Sequence, residues 1–280
     1  MYRLFSRVHG GLKPVAVVVK NFIQSAGIAI VSQRASASGG PASGSGASAS
    51  ASASASASAA GGGGSGKGGK AKEVQGNPAF VQALMELLVR SRQLVGEQFS
   101  GDSMFQKALK DAFEIFINRE IPSSKYTTTD HLATYCDRVL RGVEKLVEDE
   151  MEEALQSVVQ LFAFVIDKDK FGEIYRNQLA RRLLNQTMTS RSAEQSMIGK
   201  LKMRCGPQYT SKMEGMVNDL NLASELQKRF EGWTNGEGAS AATGMDMEFS
   251  TTILTQGWWP TFKEVKLAVP PQMKRCQDVF

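Results

Sequence analysis

Residues 171–220, FGEIYRNQLARRLLNQTMTSRSAEQSMIGKLKMRCGPQYTSKMEGMVNDL, decide the fold class of this chain. Apolar side chains recur there at steps of three and four residues, which is the spacing of one face of an α-helix. The first such face consists of Phe171, Ile174, Tyr175, Leu179 and Leu183. The pattern predicts three consecutive amphipathic helices with short connections, which is typical of an antiparallel helical bundle.

The ends of these predicted helices carry residues that commonly begin a helix. Asp167 precedes the first helix, where its carboxylate can accept hydrogen bonds from free amides. Ser192 with Gln195, and Ser211 with Glu214, have the spacing of a capping box and predict where the second and third helices begin. The sequence therefore predicts the boundaries of the bundle helices as well as their faces.

Composition limits the classes of function. The chain has 280 residues, 42% of them apolar, which is enough for one large or two ordinary domains. It contains no uninterrupted run of eighteen apolar residues, so we expect no membrane-spanning segment. Cys136, Cys205 and Cys276 fit neither a disulfide framework nor a zinc site and suit a reducing compartment. With only His9 and His131 as histidines, we predict no catalytic residues, no metal site and no cofactor.

The net charge of +5 is unevenly distributed. Residues 1–72 contain eight basic and no acidic residues, whereas the remaining 208 residues carry 25 basic and 28 acidic groups. A nucleic-acid-binding protein is expected to concentrate positive charge on its folded part. The distribution therefore argues against nucleic acid as the partner.

Outside residues 171–220 the chain divides by composition. Residues 33–72 consist largely of alanine, serine and glycine and predict a disordered, flexible insertion. Further apolar stripes predict helices that begin at Asn77-Pro78 and continue to Ile166. The alternation from Met247 to Thr255 predicts one short strand, and Pro270-Pro271 precede the first turns of another helix. The predicted fold class is mainly α, with one short β element near the C-terminus.

Several motifs stand in the order in which they occur in cullins, the scaffold subunits of multisubunit ubiquitin ligases. Residues 171–184 resemble the family's F-YY-K-LA+RLL, and residues 194–219 resemble S-E--MI-KLK--CG-QFTSK-EGM--D. ILTQGWWPT at residues 253–261 resembles VLTTGYWPT, and MYRLFSRVHGGLK at residues 1–13 resembles MYKLFSRV–GLK. Among cullin types, the sequences of these motifs are most similar to the third. The resemblance covers the whole chain except the Ala/Ser/Gly tract.

The resemblance implies a domain organisation. Residues 1–32 and 73–165 would form the last helical repeat of the cullin stalk, and residues 166–245 would begin the C-terminal helical bundle. Residues 246–280 would supply a strand and a truncated helix of the cullin homology region. Both ends are expected to be cut, so the chain is expected to be a fragment.

The resemblance also implies a function and partners. The chain would be a non-catalytic scaffold that positions a substrate and a ubiquitin-conjugating enzyme for ubiquitin-dependent protein degradation, in the cytoplasm, the nucleus or both. A RING subunit and the conjugating enzyme are the expected partners, weakened by truncation, and the adaptor-binding region would be absent. The candidate partner contacts are Arg176, Arg181, Arg182, Ile253, Leu254, Thr255, Trp258 and Trp259.

Three alternatives remain open. The chain could be a non-catalytic helical interaction protein of another kind, or a basic helical module that contacts phosphates. The basic side chains of that module would be Arg176, Arg181, Arg182, Arg191, Lys200, Lys202 and Arg204. Arg176, Arg181 and Arg182 fall largely outside the apolar stripe and are predicted to keep their charged ends in water. The third alternative is that the acid-free N-terminus is a mitochondrial transit peptide.

Deleting residues 36–70 tests the prediction that the Ala/Ser/Gly tract is a loop insertion. Lengthening a loop from about ten to about forty residues costs only about 1.2 kcal/mol of closure entropy. The deletion should therefore leave the thermal midpoint nearly unchanged, as measured by circular dichroism. A large loss of helicity would contradict the prediction.

Overall fold

A computed structural model describes Arg7 and residues 10–37, 77–121, 124–238, 249–261 and 267–280. These residues form helices joined by short loops. A π-helical turn, Leu94–Gln98, continues the second helix. The helices are α1 (Leu12–Ala37), α2 (Pro78–Gln93), α3 (Ser103–Ile117), α4 (Thr128–Leu140), α5 (Glu148–Phe162), α6 (Lys168–Leu184), α7 (Arg191–Cys205), α8 (Pro207–Thr234) and α9 (Pro271–Val279).

Several helix starts follow from local chemistry that the sequence predicts. Helix α2 begins with Pro78 at its first position, where the missing N–H would have had no partner within the helix. The Asp102 side chain accepts a hydrogen bond from the Met104 amide (2.8 Å) at the start of α3. Asp167 accepts one from the Lys170 amide (3.0 Å) at the start of α6, as predicted. Each carboxylate satisfies an amide that has no intrahelical acceptor.

The two predicted capping boxes are wrong. Helix α7 is capped by Ser190 rather than by Ser192. Ser190 has an extended backbone, and its Oγ accepts a hydrogen bond from the Ala193 amide (3.4 Å). Helix α8 begins at Pro207, so Ser211 lies within it and donates its hydroxyl to the Gln208 carbonyl (3.0 Å). A serine followed three residues later by Gln or Glu is not sufficient to start a helix. Gly206, with a φ of 87°, makes a sharp turn after α7, and α8 therefore begins directly after it at Pro207.

The helices pack in an order that follows the chain. Helix α1 packs on α2 and α3, α2 packs on α4 and α5, and α4 packs on α5 and α6. Helix α5 then contacts α7, and α8 contacts both α6 and α7. A contiguous apolar core runs through these contacts and includes the buried rings of Phe113, Phe116, Phe162, Phe171 and Tyr175. The mainly α fold class is therefore confirmed.

The predicted apolar faces are buried with few exceptions. Phe171, Tyr175, Leu179 and Leu183 all lie in the core, and Ile174 packs against it. Ile166 is different because it lies between α5 and α6 and is 74% exposed. Its position continues the apolar period of α5, but that helix ends at Phe162, so the period no longer applies.

The predicted strand does not form over Phe249–Thr255; Met247 and Glu248 lie outside the described residues. Alternating polarity favours an extended backbone, but a strand also needs a neighbouring strand that accepts its hydrogen bonds. The described part of the chain supplies no such neighbour. Instead, side chains of α8 hold the backbone of this segment.

Helix α1 bears on the expectation of no membrane-spanning segment, which stays a prediction. Although the sequence has no uninterrupted apolar run, Leu12–Gln33 is long and apolar enough to cross a membrane by length and composition, with a mean hydropathy of 1.7. The same length and composition fit a helix that packs within a protein. Here one side of α1 contacts α3, and Val19, Ile23 and Val31 are buried there.

The predicted Ala/Ser/Gly insertion lies mostly outside the described residues, apart from the end of α1. Helices α1 and α2, which flank residues 38–76, pack against each other. The assignment of residues 1–32 and 73–165 to one repeat, of 166–245 to a bundle and of 246–280 to a further region stays a prediction.

Changing Gly27 to Ala tests the packing of α1 on α3. A Cβ atom at Gly27 would lie 2.3 Å from the Phe116 ring, which is fully buried and cannot easily move. Gly27→Ala should therefore lower the free energy of unfolding by about 1–3 kcal/mol in denaturant titrations.

The matched control is Gly199→Ala in α7, where an added Cβ meets nothing within 4 Å. Alanine has the higher helix propensity, so this variant should gain up to about 1 kcal/mol. If both variants shifted the denaturation midpoint in the same direction, the packing of α1 on Phe116 would be wrong.

Candidate functional site

A buried ion-pair network joins α4, α6 and α7. Arg182 on α6 is only 1% exposed and pairs with Glu194 on α7 through two hydrogen bonds, Nε to Oε2 (3.0 Å) and Nη2 to Oε1 (2.8 Å). Its remaining terminal nitrogen, Nη1, donates to Asp137 on α4. The two-pronged geometry matches the planar guanidinium to the planar carboxylate, which makes such pairs strong and directional. We call Arg182, Glu194, Asp137 and Tyr175 the Arg182 network.

Tyr175 completes the network from one helical turn before Arg182. Its hydroxyl donates to Glu194 Oε1, and the Arg182 guanidinium carbon lies 5.3 Å from the centre of its ring. The ring also stacks on Phe171 within the core. The tyrosine therefore connects the charged network to the apolar packing of α6.

The environment keeps Arg182 charged and keeps Tyr175 and Cys136 protonated. Burial by itself lowers the pKa of Arg182, but the Glu194 carboxylate and other neighbours outweigh burial and raise the pKa, so the guanidinium stays charged. Burial raises the pKa of Tyr175 well above its ordinary value, and the Glu194 charge adds to this effect. Burial likewise raises the pKa of the neighbouring Cys136 thiol. A thiol that stays protonated is a poor nucleophile.

The burial of Arg182 corrects the prediction that its charged end lies in water. Arg182 directly precedes Leu183 and lies three residues after Leu179, so it borders the apolar stripe. Glu194 lies between Ala193 and Met197, which are both buried. One basic and one acidic residue on facing apolar stripes are the sequence signal that could have indicated the pair.

The other basic residues are dispersed, and several are neutralised. Arg181 is exposed and Arg176 is half-buried. Lys200 pairs with Glu152 on α5. On the same helix, Lys202 pairs with Glu214 on α8 at 3.0 Å. The structure therefore does not bring Arg176, Arg181 and Arg182 together as one exposed surface.

A second polar site, which we call the Asp219 clamp, holds residues 249–259 against α8. The buried carboxylate of Asp219 accepts hydrogen bonds from the Thr255 amide (2.7 Å), the Thr255 hydroxyl (2.8 Å) and the Trp259 indole N–H (2.7 Å). Burial by itself would raise the pKa of Asp219, but the three donated hydrogen bonds outweigh it and lower the pKa.

Two further contacts keep this segment in place. Gln227, two turns further along α8, donates to the Phe249 carbonyl (2.9 Å) and accepts from the Thr251 amide (3.4 Å). Gly215 lets the indole of Trp258 lie directly on α8, because a Cβ atom there would be 2.4 Å from the ring. The segment is thus held by a helix rather than by a neighbouring strand.

The clamp separates the predicted contact residues into two groups. Trp258 and Trp259 are half-buried and pack against the core, and the Thr255 side chain is bound to Asp219. Ile253 is 51% exposed, and Leu254 is also exposed. A partner could therefore reach Ile253 and Leu254 directly, whereas the tryptophans position them.

An apolar groove of about 370 Å³ adjoins this segment. Phe230 on α8 contacts Phe249 and Phe280, with centroid distances of 6.1 and 5.0 Å. Ile253 and Trp233 form part of the groove wall. Helix α9 is thus attached to α8 through aromatic contacts.

Among the described residues, no group of three or more His, Cys, Asp or Glu side chains could hold a metal ion.

The helices pack on one another in chain order, as in α-solenoids, which stack pairs of helices. Residues 1–227 match the family model described as "Cullin alpha solenoid domain". The chain belongs to the cullin family.

Its relatives agree with this assignment. The chain is 36% identical to Cullin-1 of Oryza sativa subsp. japonica and 34% identical to Cullin-2 of Arabidopsis thaliana, in both cases over 100% of its own length. It is 32% identical to Cullin-1 of Schizosaccharomyces pombe over 93% of its length. The chain spans about a third of the length of these relatives, 34%, 34% and 30% respectively. The particular resemblance to the third cullin type stays a prediction.

Changing Arg182 to Gln tests the buried network. The variant leaves the Glu194 and Asp137 carboxylates buried without their counter-charge, which should lower the free energy of unfolding by about 3–5 kcal/mol. Arg181→Gln removes the same charge one residue earlier at an exposed position and should stay within about 0.5 kcal/mol of the wild type. Equal denaturation midpoints for the two variants would contradict the network.

Changing Asp219 to Ala tests the clamp. Three donors lose their shared acceptor, so the segment should leave α8 and tryptophan fluorescence should move to longer wavelength. Asn218→Ala, at the exposed neighbouring position, should leave the spectrum unchanged.

Acid should reproduce the effect of Asp219→Ala in the wild type. Because the pKa of folded Asp219 is lowered, its stabilisation is present above the ordinary aspartate pKa of about 3.9 and is lost as the pH falls through the lower folded value. An unchanged Asp219→Ala spectrum would contradict the clamp.

Proposed function

We propose that this chain acts as part of the non-catalytic scaffold of a cullin-RING ubiquitin ligase. The observation that carries the proposal is the match of residues 1–227 to the cullin solenoid on a helical fold of the expected kind. A scaffold accelerates transfer by holding a conjugating enzyme and a substrate lysine close together in a suitable orientation. The Arg182 network supports this role because it fixes α4, α6 and α7 relative to one another.

The proposed partners are the RING subunit and the ubiquitin-conjugating enzyme of such a ligase. We propose the exposed side chains of Ile253 and Leu254 as the contact with the RING subunit. The Asp219 clamp would hold the segment that carries these two residues against α8. A partner can add a strand along an exposed backbone segment of this kind.

The distribution of charge favours a protein partner over nucleic acid. Of the seven basic residues that could have formed a phosphate-binding face, Arg182 is buried with two carboxylates. Lys200 and Lys202 are paired with acidic residues on neighbouring helices. Arg191 donates to the Asn221 side chain. The remaining charges give a partial surface rather than a continuous basic stripe.

The double variant Ile253→Asp/Leu254→Asp tests the partner surface. Two carboxylates on an apolar contact should weaken binding of the purified RING subunit at least tenfold, measured by isothermal titration calorimetry. Both positions are exposed, so the thermal midpoint should change little. Val143→Asp, a matched exposed apolar position between α4 and α5, should bind like the wild type. If the RING subunit binds the wild type and the double variant equally, this surface is wrong.

The triple variant Cys136→Ala/Cys205→Ala/Cys276→Ala tests the absence of catalysis by the chain. Burial raises the thiol pKa values of Cys136 and Cys205, and Cys276 is buried. Ubiquitin transfer in the reconstituted ligase should therefore persist in the triple variant, with any loss explained by stability. A ubiquitin thioester on the wild-type chain, detected on a non-reducing gel, would overturn the non-catalytic assignment.

We also propose that the protein resides in the cytoplasm, the nucleus or both. A scaffold of ubiquitin transfer works where its conjugating enzymes are found. Imaging the tagged full-length protein tests this location, and colocalisation with mitochondria would favour the transit-peptide alternative.

A further inference from the structure

A cavity of about 420 Å³ lies between the end of α2, the start of α3 and the residue Phe164 after α5. Its floor consists of the buried side chains of Val95, Leu109 and Phe164. Its rim is polar or backbone, and Arg92 is the one charged residue that lines it. Neither the family assignment nor the proposed scaffold role gives this cavity a function.

The backbone around the cavity departs from regular helix. Residues Leu94–Gln98 form a π-helical turn, which is uncommon and often marks a functional position. The turn is closed by a hydrogen bond from the Gly101 amide to the Val95 carbonyl (3.0 Å), and Ser100 and Gly101 both have positive φ. This geometry bends the chain from α2 into α3 and leaves the cavity open between them.

The charge at the rim has no acidic partner among the described residues. Arg92 donates to the neutral side chain of Gln160 on α5, and no ion pair joins it to a carboxylate there. Burial lowers the pKa of Arg92, and the positive charge of Arg204 on α7 lowers it further. Two guanidinium groups that repel each other create a site where an anion would be stabilised.

We infer that this cavity, which we call the Arg92 pocket, binds an acidic peptide segment, with a large apolar side chain of the peptide on the Val95–Leu109–Phe164 floor and an adjacent carboxylate on Arg92. Charge complementarity selects the carboxylate, because the lining residues supply positive charge and no negative charge. The apolar floor selects a peptide over a simple anion, because burying an aliphatic side chain there removes apolar surface from water. The carboxylate would form a charge-assisted hydrogen bond with the guanidinium.

The probe is a short fluorescein-labelled peptide in which one leucine is flanked on both sides by aspartates. Fluorescence anisotropy should show saturable binding to the full chain that weakens as salt is added. Two control peptides, with asparagine for aspartate or with serine for leucine, should each bind at least about tenfold more weakly. If the leucine peptide does not saturate below about 1 mM, the inference is wrong.

Three variants locate the binding. Arg92→Gln should weaken it about tenfold through loss of one charge-assisted hydrogen bond. Arg90→Gln removes the same charge from the same helical turn, but Arg90 lies outside the cavity and should stay within about twofold. Gly96→Leu places a side chain at the exposed rim, where an added Cβ meets nothing within 4 Å, and should block binding without unfolding the chain.

Two results would overturn the inference. Equal losses for Arg92→Gln and Arg90→Gln would mean that the peptide senses only net charge. Displacement of the labelled peptide by an equal concentration of a single-stranded oligonucleotide would mean that phosphate is the preferred ligand. Circular dichroism and thermal midpoints of all three variants exclude unfolding as the cause, and Arg92→Gln remains informative by itself because its side chain is exposed.

Discussion

The two-pronged ion pair between Arg182 and Glu194 is the constraint on which the junction between the helices depends. Both side chains are almost completely buried, so neither can lose its partner without leaving a charge in the core. Asp137 brings α4 into the same network, and Tyr175 anchors it to the apolar packing. A buried ion pair adds little net stability over an apolar contact, but its hydrogen bonds link specific positions on the three helices.

The Asp219 clamp also depends on a buried carboxylate, but it holds a non-helical segment against a helix instead of joining helices. One buried carboxylate gathers three donors from a segment that has little packing of its own. The aromatic rings of Trp258 and Trp259 then cover the helix, while Ile253 and Leu254 remain outside. Side chains of α8 therefore make the backbone hydrogen bonds that a neighbouring strand would otherwise make.

Rigidity and accessible surface occur in different parts of the molecule. The Arg182 network lies where α4, α6 and α7 meet, whereas the exposed apolar residues and the Arg92 pocket lie at loops that follow or join helices. This division suits a cullin, because a scaffold needs fixed distances between the surfaces it presents.

The sequence by itself determined the helices, their buried faces and the family, because apolar periodicity is local and strong in stripes such as Phe171–Leu183. It did not determine that Ser190 caps α7, since Ser192 lies nearby, or that α8 begins at Pro207, which the turn at Gly206 decides. It also failed for Arg182 and for the segment Phe249–Thr255. Whether an arginine at the border of a stripe is buried depends on a carboxylate from another helix, and whether an extended segment becomes a strand depends on a neighbouring strand. Both are long-range pairings, which only the tertiary structure decides.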